Sequence, residues 1–325
     1  MKLNLFSKLV FATLLALVVN SFVYFSFGNI YSSKILNYAD FQAQFKSGIY
    51  QYRKLSGYFL MEIYDFLSSL NIDYHIFKLK FFNPESDPRM YLTFYILNTI
   101  FLMLTAVLMV FITEKKNFVA TSSEKLLITG LSILAIGLSQ FVIVPYDISS
   151  YFFLALFFFF LLKYLNDQSS SILMVLGVII LFSTLNRESS ALSLSLAATL
   201  LYEKFGLKKE TLLPILFLGL IFIGVYLGLR FINENFSTND GNLLLQNFTQ
   251  PKNILGIIFW LVFFIFTLML AKDKKAIRAI CLFHFLSFPY IILCFYTGIL
   301  YEVRLYIPLF LTSLLLSRTE LSRID

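Results

Sequence analysis

A chain of 325 residues that is 58% hydrophobic, 18% aromatic and 14% charged, with a mean hydropathy of +0.78, falls in the membrane class and outside soluble domains. Its net charge of +7 is no nucleic-acid signal, because the basic residues are scattered over short loops beside apolar runs, where they set topology. Two histidines (His75, His284), two cysteines and the lack of an HExxH, a CxxC or a glycine-rich nucleotide loop argue against imidazole-based zinc or iron chemistry; the sequence supports no cofactor and leaves a divalent metal open.

Apolar runs at 9–27, 91–113, 126–145, 148–165, 171–186, 188–203, 211–230, 254–271, 277–297 and 303–317 predict an all-α polytopic membrane protein of about ten transmembrane helices. The whole of 1–325 reads as one integral membrane domain. The first run follows Lys2 and Lys8, is too long for a secretory signal core and lacks a small-x-small cleavage site, so it reads as an uncleaved span.

The only long polar segment, 28–90, follows it. Within that segment Asp40 precedes Tyr50, Tyr52 and Arg53, and LSGYFLMEIYDFLSSL places Phe59, Ile63, Phe66, Leu67 and Leu70 on one helical face. That pattern predicts an amphipathic helix on the membrane surface. Pro84 and Pro88 mark a turn before the second span. Further on, Tyr146 and Asp147 sit in a tight turn between two spans, with Asp147 expected to cap a helix that starts at Ile148.

Arg187 and Glu188 interrupt the 33-residue stretch Ile172–Lys204. One helix of that length would run about 50 Å, against roughly 30 Å of hydrocarbon, and charges inside lipid are costly. Two short spans meeting at Asn186-Arg187-Glu188 resolve both problems. Cys281 and Cys294 fall together in one later run, a spacing that suits neither a disulfide framework nor a metal site. Two glycosylation sequons, at Asn235 and Asn247, lie in polar loop sequence and are expected to stay bare.

Charge bias then assigns the sides. With the N-terminus inside, fifteen basic residues lie on cytoplasmic segments, among them Lys8, Lys116, Lys125, Lys209, Lys274 and Arg318. The short outer loops keep only Arg187, Arg230, Lys252 and Arg304. A single unsplit span over 172–203 would reverse that bias for every later loop. Both termini are therefore expected in the cytoplasm of a bacterial inner membrane. Asp147, Glu188, Glu302 and three arginines (Arg187, Arg230, Arg304) then gather at the outer face, in a polar vault roofed by 28–90. Glu302 and Arg304, two positions apart, would diverge by about 200° on a helix and face different partners.

A first span, an outer segment of surface helices with an early acidic residue (ADFQAQFKSGIYQYR, from Ala39), and a bundle with polar groups at its outer ends together resemble the GT-C superfamily of membrane glycosyltransferases. The resemblance covers about 1–205, leaving 206–325 as further helices. It implies transfer of a sugar from a polyprenyl-phosphate-linked donor to an extracytoplasmic glycan, lipid or protein acceptor. It also implies a catalytic carboxylate in the first outer loop, which by position is Asp40, with Asp147 as a second candidate. A carboxylate base suits attack of an acceptor hydroxyl on an anomeric carbon, and arginine forks suit a phosphate leaving group. The substrate-binding set is then Arg53, Tyr146, Arg187, Glu188, Arg230, Glu302 and Arg304. Alternatives are a polysaccharide repeat-unit polymerase, disfavoured because the late loop 231–253 holds only Lys252, and a transporter or flippase, disfavoured because the charges gather at one face.

Overall fold

The computed structural model describes residues 4–26, 34–48, 50–233 and 241–320. Lys2, Arg323 and the Asn235 sequon lie outside the described residues. The helices are, in order, α1 (Leu5–Ser26), α2 (Tyr38–Ser47), α3 (Lys54–Ser69), α4 (Pro88–Thr113), α5 (Ser122–Leu138), α6 (Asp147–Asp167), α7 (Ser170–Asn186) and α8 (Ala191–Phe205). They continue as α9 (Lys209–Ile232), α10 (Leu244–Thr249), α11 (Pro251–Leu270), α12 (Lys274–Leu286), α13 (Phe288–Thr297) and α14 (Ile307–Arg318).

The expected ten spans are not there. Among the described residues, six helices are long and apolar enough to cross a membrane: α1, α4, α5 with the 3₁₀ turn that extends it to Phe141, α6, α9 and α11. A seventh exists if α12 and α13, bent by 50° at Ser287, count as one. Pro289 lies in the first turn of α13, where its missing N–H and its ring interrupt a continuous helix. The remaining runs are short helices. With 17, 15 and 12 residues, α7, α8 and α14 reach only about 26, 22 and 18 Å at about 1.5 Å per residue. A hydropathy window cannot separate a helix apolar because it crosses lipid from one apolar because protein surrounds it. α14 is the second kind, buried from Ile307 to Ser317. The chain remains an integral, multi-spanning membrane protein.

Two cores share the central helices. One packs α1, α4 and α5 under α2 and α3, with Tyr24, Phe41, Leu60, Phe94 and Tyr146 buried in it. The other packs α6, α7, α8 and α12, with Phe157, Phe158, Leu196 and Phe283. α14 lies between them, giving Ile307 and Leu311 to the first and Leu309, Phe310 and Leu314 to the second. A buried polar layer crosses the first core. Asn98 donates to the Tyr24 hydroxyl at 2.7 Å, to Gln140 at 3.1 Å and to the Val144 carbonyl at 3.2 Å. Those bonds fix α4 against α1 and the 139–144 turn, where unpaired amides would be costly.

The amphipathic segment 55–70 is helical as α3. Ser56, Gly57, Leu60 and Leu67 turn inward, while Phe59, Phe66 and Leu70 are exposed. A Cβ on Gly57 would overlap the Phe45 ring, so the glycine is what lets α2 lie against α3. Gly256 acts likewise in α11, where a Cβ would strike the Leu300 carbonyl.

Two further expectations change. Cys281 lies exposed on α12 and Cys294 buried on α13, so they do not share a helix. Asn247 of the second sequon is buried, donating to the carbonyls of Phe295 at 2.9 Å and Gly298 at 2.7 Å. It belongs to the core of a packed loop, not to open polar chain.

Charges occupy the two ends of the bundle. At one end Lys8 and Lys125 meet Glu114 at 2.8 and 3.5 Å, Arg318 meets Glu124 at 2.7 Å, and Lys272 meets Glu320 at 2.8 Å. These contacts tie the start of α1 and α5 to the end of α4, and the end of α14 to the start of α5. The other end holds Arg53, Arg187, Arg230 and Arg304.

Candidate functional site: a cluster of four arginines

Asp147 is the first residue of α6 and 1% exposed. It is not the cap expected of it: Tyr146 holds the cap position, and the Asp147 carboxylate turns inward. One oxygen contacts Arg187 and the other receives Arg304 at 3.0 Å. A carboxylate this deeply buried is stable only when such partners replace its water.

Arg187 reaches Asp147 because α7 stops. Asn186 ends the helix, Arg187 is extended (φ −165°, ψ 145°), and a 3₁₀ turn over Glu188–Ser190 restarts the chain into α8. The stop is held by side chains from three elements. The Asn186 amide oxygen accepts from Ser56 of α3 and from Ser149 of α6 at 3.0 Å, while its nitrogen donates to the Tyr146 carbonyl at 3.2 Å. Ser56 also donates to Ser149 at 2.8 Å. Each member of this node lies within three positions of a charged cluster residue: Ser56 three after Arg53, Ser149 two after Asp147, and Asn186 directly before Arg187. The sequence named Asn186 only as part of the break, and none of the three as a site residue. Their one signal was polarity next to charge in apolar surroundings.

Glu302 and Arg304 pair with each other, at 2.8 and 2.6 Å, and do not diverge to separate partners. The divergence assumed an α-helix, whereas Val303–Leu305 is a 3₁₀ turn preceded by Glu302 in extended conformation. The Tyr151 hydroxyl donates to the Arg304 carbonyl and the Tyr290 hydroxyl to that of Leu305, both at 2.8 Å, which locks this turn onto α6 and α13.

Glu188 faces the polar segment between α1 and α4. Arg53 donates to it at 3.2 Å, and Arg230, at the end of α9, comes to 4.0 Å. Arg230 is otherwise held by rings, 3.6 Å above Tyr226 and 4.5 Å from Tyr52, and donates to the Tyr226 carbonyl at 3.3 Å. Arg53 lies 5.7 Å from the Tyr146 ring and 5.8 Å from that of Tyr50. For Glu188 and Arg53 burial alone would disfavour the charge, but their mutual attraction outweighs it. Glu188 is pulled below the usual carboxylate range by Arg53, and Arg53 is raised by Glu188. Arg304 is likewise raised by Glu302 against the opposing effect of burial.

The structure thus brings together Arg53, Tyr146, Asp147, Arg187, Glu188, Arg230, Glu302 and Arg304 beneath the start of α3. Four guanidiniums (Arg53, Arg187, Arg230, Arg304) face three carboxylates (Asp147, Glu188, Glu302), leaving one positive charge in excess. The Tyr146 hydroxyl is buried with no hydrogen-bond partner among the described residues. Asp40 stands apart. It lies half-buried in the first turn of α2, its N–H 3.4 Å from the Asn37 side chain, and its carboxylate joins none of these pairs. Among the described residues no three His, Cys, Asp or Glu side chains gather as a metal site would require. Comparison with protein-family models, with curated proteins and with solved structures finds no match to this chain.

Proposed function

We propose that the protein transfers a sugar from a polyprenyl-phosphate-linked donor to a glycan, lipid or protein acceptor, at the arginine end of its bundle and on the extracytoplasmic side. The observation that carries this reading is the excess guanidinium charge in a buried cluster at the end of apolar helices. A phosphate borne on a lipid tail arrives at that depth, and guanidinium forks neutralise it as the sugar departs. Arg230 is the loosest of the four, held by tyrosine faces and a distant Glu188, and with Arg53 it takes the phosphate. Arg187 and Arg304 are clamped by Asp147, and both oxygens of that carboxylate are occupied, which favours Asp40 as the base. In the reaction the acceptor oxygen bonds to the anomeric carbon, the bond from that carbon to the phosphate oxygen breaks, and the acceptor proton passes to Asp40. Polyprenyl phosphate leaves.

The test is transfer by purified protein in proteoliposomes, supplied with polyprenyl-phosphate sugars and read as release of polyprenyl phosphate. Arg230→Gln should weaken donor binding by about tenfold or more, as loss of a hydrogen bond to a charged group does. Absence of release with every donor and acceptor class, or binding unchanged in Arg230→Gln, defeats the proposal.

A further inference from the structure

Where α9 begins, at the end of the bundle opposite the arginines, it forms with the end of α6 and the first turn of α7 a groove of about 560 Å³. That size lies within the range of small-ligand sites. The floor is apolar, made by Leu173, Pro214 and Phe217. Gly177 marks where the groove closes. A Cβ there would come 2.8 Å from Ile221 and 3.1 Å from Phe217, so α7 and α9 pack closely at that level. One side stays open. Leu213, Leu216 and Leu220 line it and are 61, 60 and 61% exposed, on a helix long and apolar enough to cross a membrane. An apolar chain lying in the groove therefore passes directly into lipid.

The polar groups at the head of the groove are uncommitted. Lys209 and Glu210, both exposed in the first turn of α9, take part in no ion pair among the described residues. Tyr164 is 7% exposed, and its hydroxyl makes no hydrogen bond among the described residues. The exposed side-chain amide of Gln168 makes none either. A hydroxyl held on a side chain this buried calls for a partner, which a ligand in the groove would supply. From Lys209 to Leu220 the helix rises about 16 Å, close to one leaflet of a hydrocarbon core of roughly 30 Å. A free ammonium thus stands at the head of an apolar channel one leaflet deep.

We infer that this groove binds a glycerophospholipid. Its phosphate faces Lys209, the Tyr164 hydroxyl and the Gln168 amide donate to its ester carbonyls, and one acyl chain lies over Phe217 and leaves along Leu216 and Leu220. The unpaired ammonium selects a phosphate, and the open leucine side selects an acyl chain. Glu210, next to Lys209, weakens the pull on small free anions, so a soluble phosphate ester lacking the chain is held poorly. The site is independent of the arginine cluster, because Lys209 lies in the first turn of α9 and Arg230 in its last.

The experiment is native mass spectrometry of delipidated full-length protein in detergent, with phosphatidylglycerol or diacylglycerol of the same acyl chains added singly. Phosphatidylglycerol should be retained about tenfold more tightly than diacylglycerol, since a charge-assisted hydrogen bond to the phosphate is at stake. Lys209→Gln, at an exposed position, should abolish that preference. Leu213→Trp, also exposed, puts a larger ring into the open side and should weaken retention of both lipids. Equal retention of the two lipids by wild type, a preference unchanged in Lys209→Gln, retention unchanged in Leu213→Trp, or displacement by soluble glycerol 3-phosphate would each overturn the inference. So would a dimer that dissociates in Leu213→Trp, which would make a second copy of the chain the occupant.

Discussion

Arg304 meets the buried carboxylate of Asp147 at 3.0 Å from 157 positions away in the chain, on the oxygen that Arg187 leaves open. One aspartate thereby joins the start of α6, the break after α7 and the turn before α14. Those three elements approach each other only in the folded bundle.

Asp147→Asn removes the charge but little volume, leaving two buried guanidiniums facing a neutral amide. Breaking a buried pair from one side typically costs about 3–5 kcal/mol. Thermal unfolding of purified protein in detergent should show a loss of that order. Adding Arg187→Gln should cost less than the sum of the single changes, because the two residues share one interaction. Simple additivity would mean that the Asp147–Arg187 contact contributes nothing of its own.

Asp40→Asn should leave folding intact, since the Asp40 carboxylate is in no ion pair of the cluster. Base catalysis is commonly worth about 10²–10⁴ in rate, and sugar transfer should fall by that factor while donor binding persists. A near wild-type transfer rate would remove Asp40 from the mechanism.

Asn247 is buried and donates to two carbonyls, so its sequon cannot accept a glycan in the folded chain. Expression in a glycosylating host should give no mass increase at Asn247. Asn247→Leu strands the Phe295 and Gly298 carbonyls and should cost about 1–3 kcal/mol in thermal stability. An occupied Asn247 in folded protein would show that the loop over α10 is packed otherwise.

Glu114 follows α4 and is held below the usual 4.5 of its side chain, Lys8 and Lys125 together outweighing the opposing effect of burial. Its folded pKa is depressed, so its contribution is complete well above pH 4.5 and is lost as pH falls through the folded value. Unfolding monitored between pH 7 and pH 3 should therefore show less acid sensitivity in Glu114→Gln than in wild type. Identical acid profiles would mean that the Lys8–Glu114–Lys125 link adds no stability.

The two charged ends should face opposite sides of the membrane. An impermeant thiol reagent applied to intact cells should label Lys252→Cys, near the start of α11, and spare Lys209→Cys at the start of α9, in a background without Cys281 and Cys294. Outside labelling of Lys209→Cys would reverse the orientation and set the arginines on the cytoplasmic side.

Membrane character, helical class and the break at Asn186-Arg187-Glu188 were all legible in the sequence, because each is a local property of composition or run length. A long apolar stretch with two charges at its centre admits few backbones. The number of crossings was not legible. α14 looks like a span in a hydropathy window and is a 12-residue core helix, a distinction that depends on what surrounds it. The ion pairs were not legible either. Candidate charges could be placed at one end of the bundle, but the pairing of Glu302 with Arg304 rests on a 3₁₀ turn that spacing does not reveal. The same limit hid the meeting of Ser56, Ser149 and Asn186, which requires α3, α6 and α7 to converge. Solvent preference is written residue by residue along the chain. Which buried group neutralises which is decided by distances that exist only after packing, where an unpaired charge costs more than almost any local preference can supply.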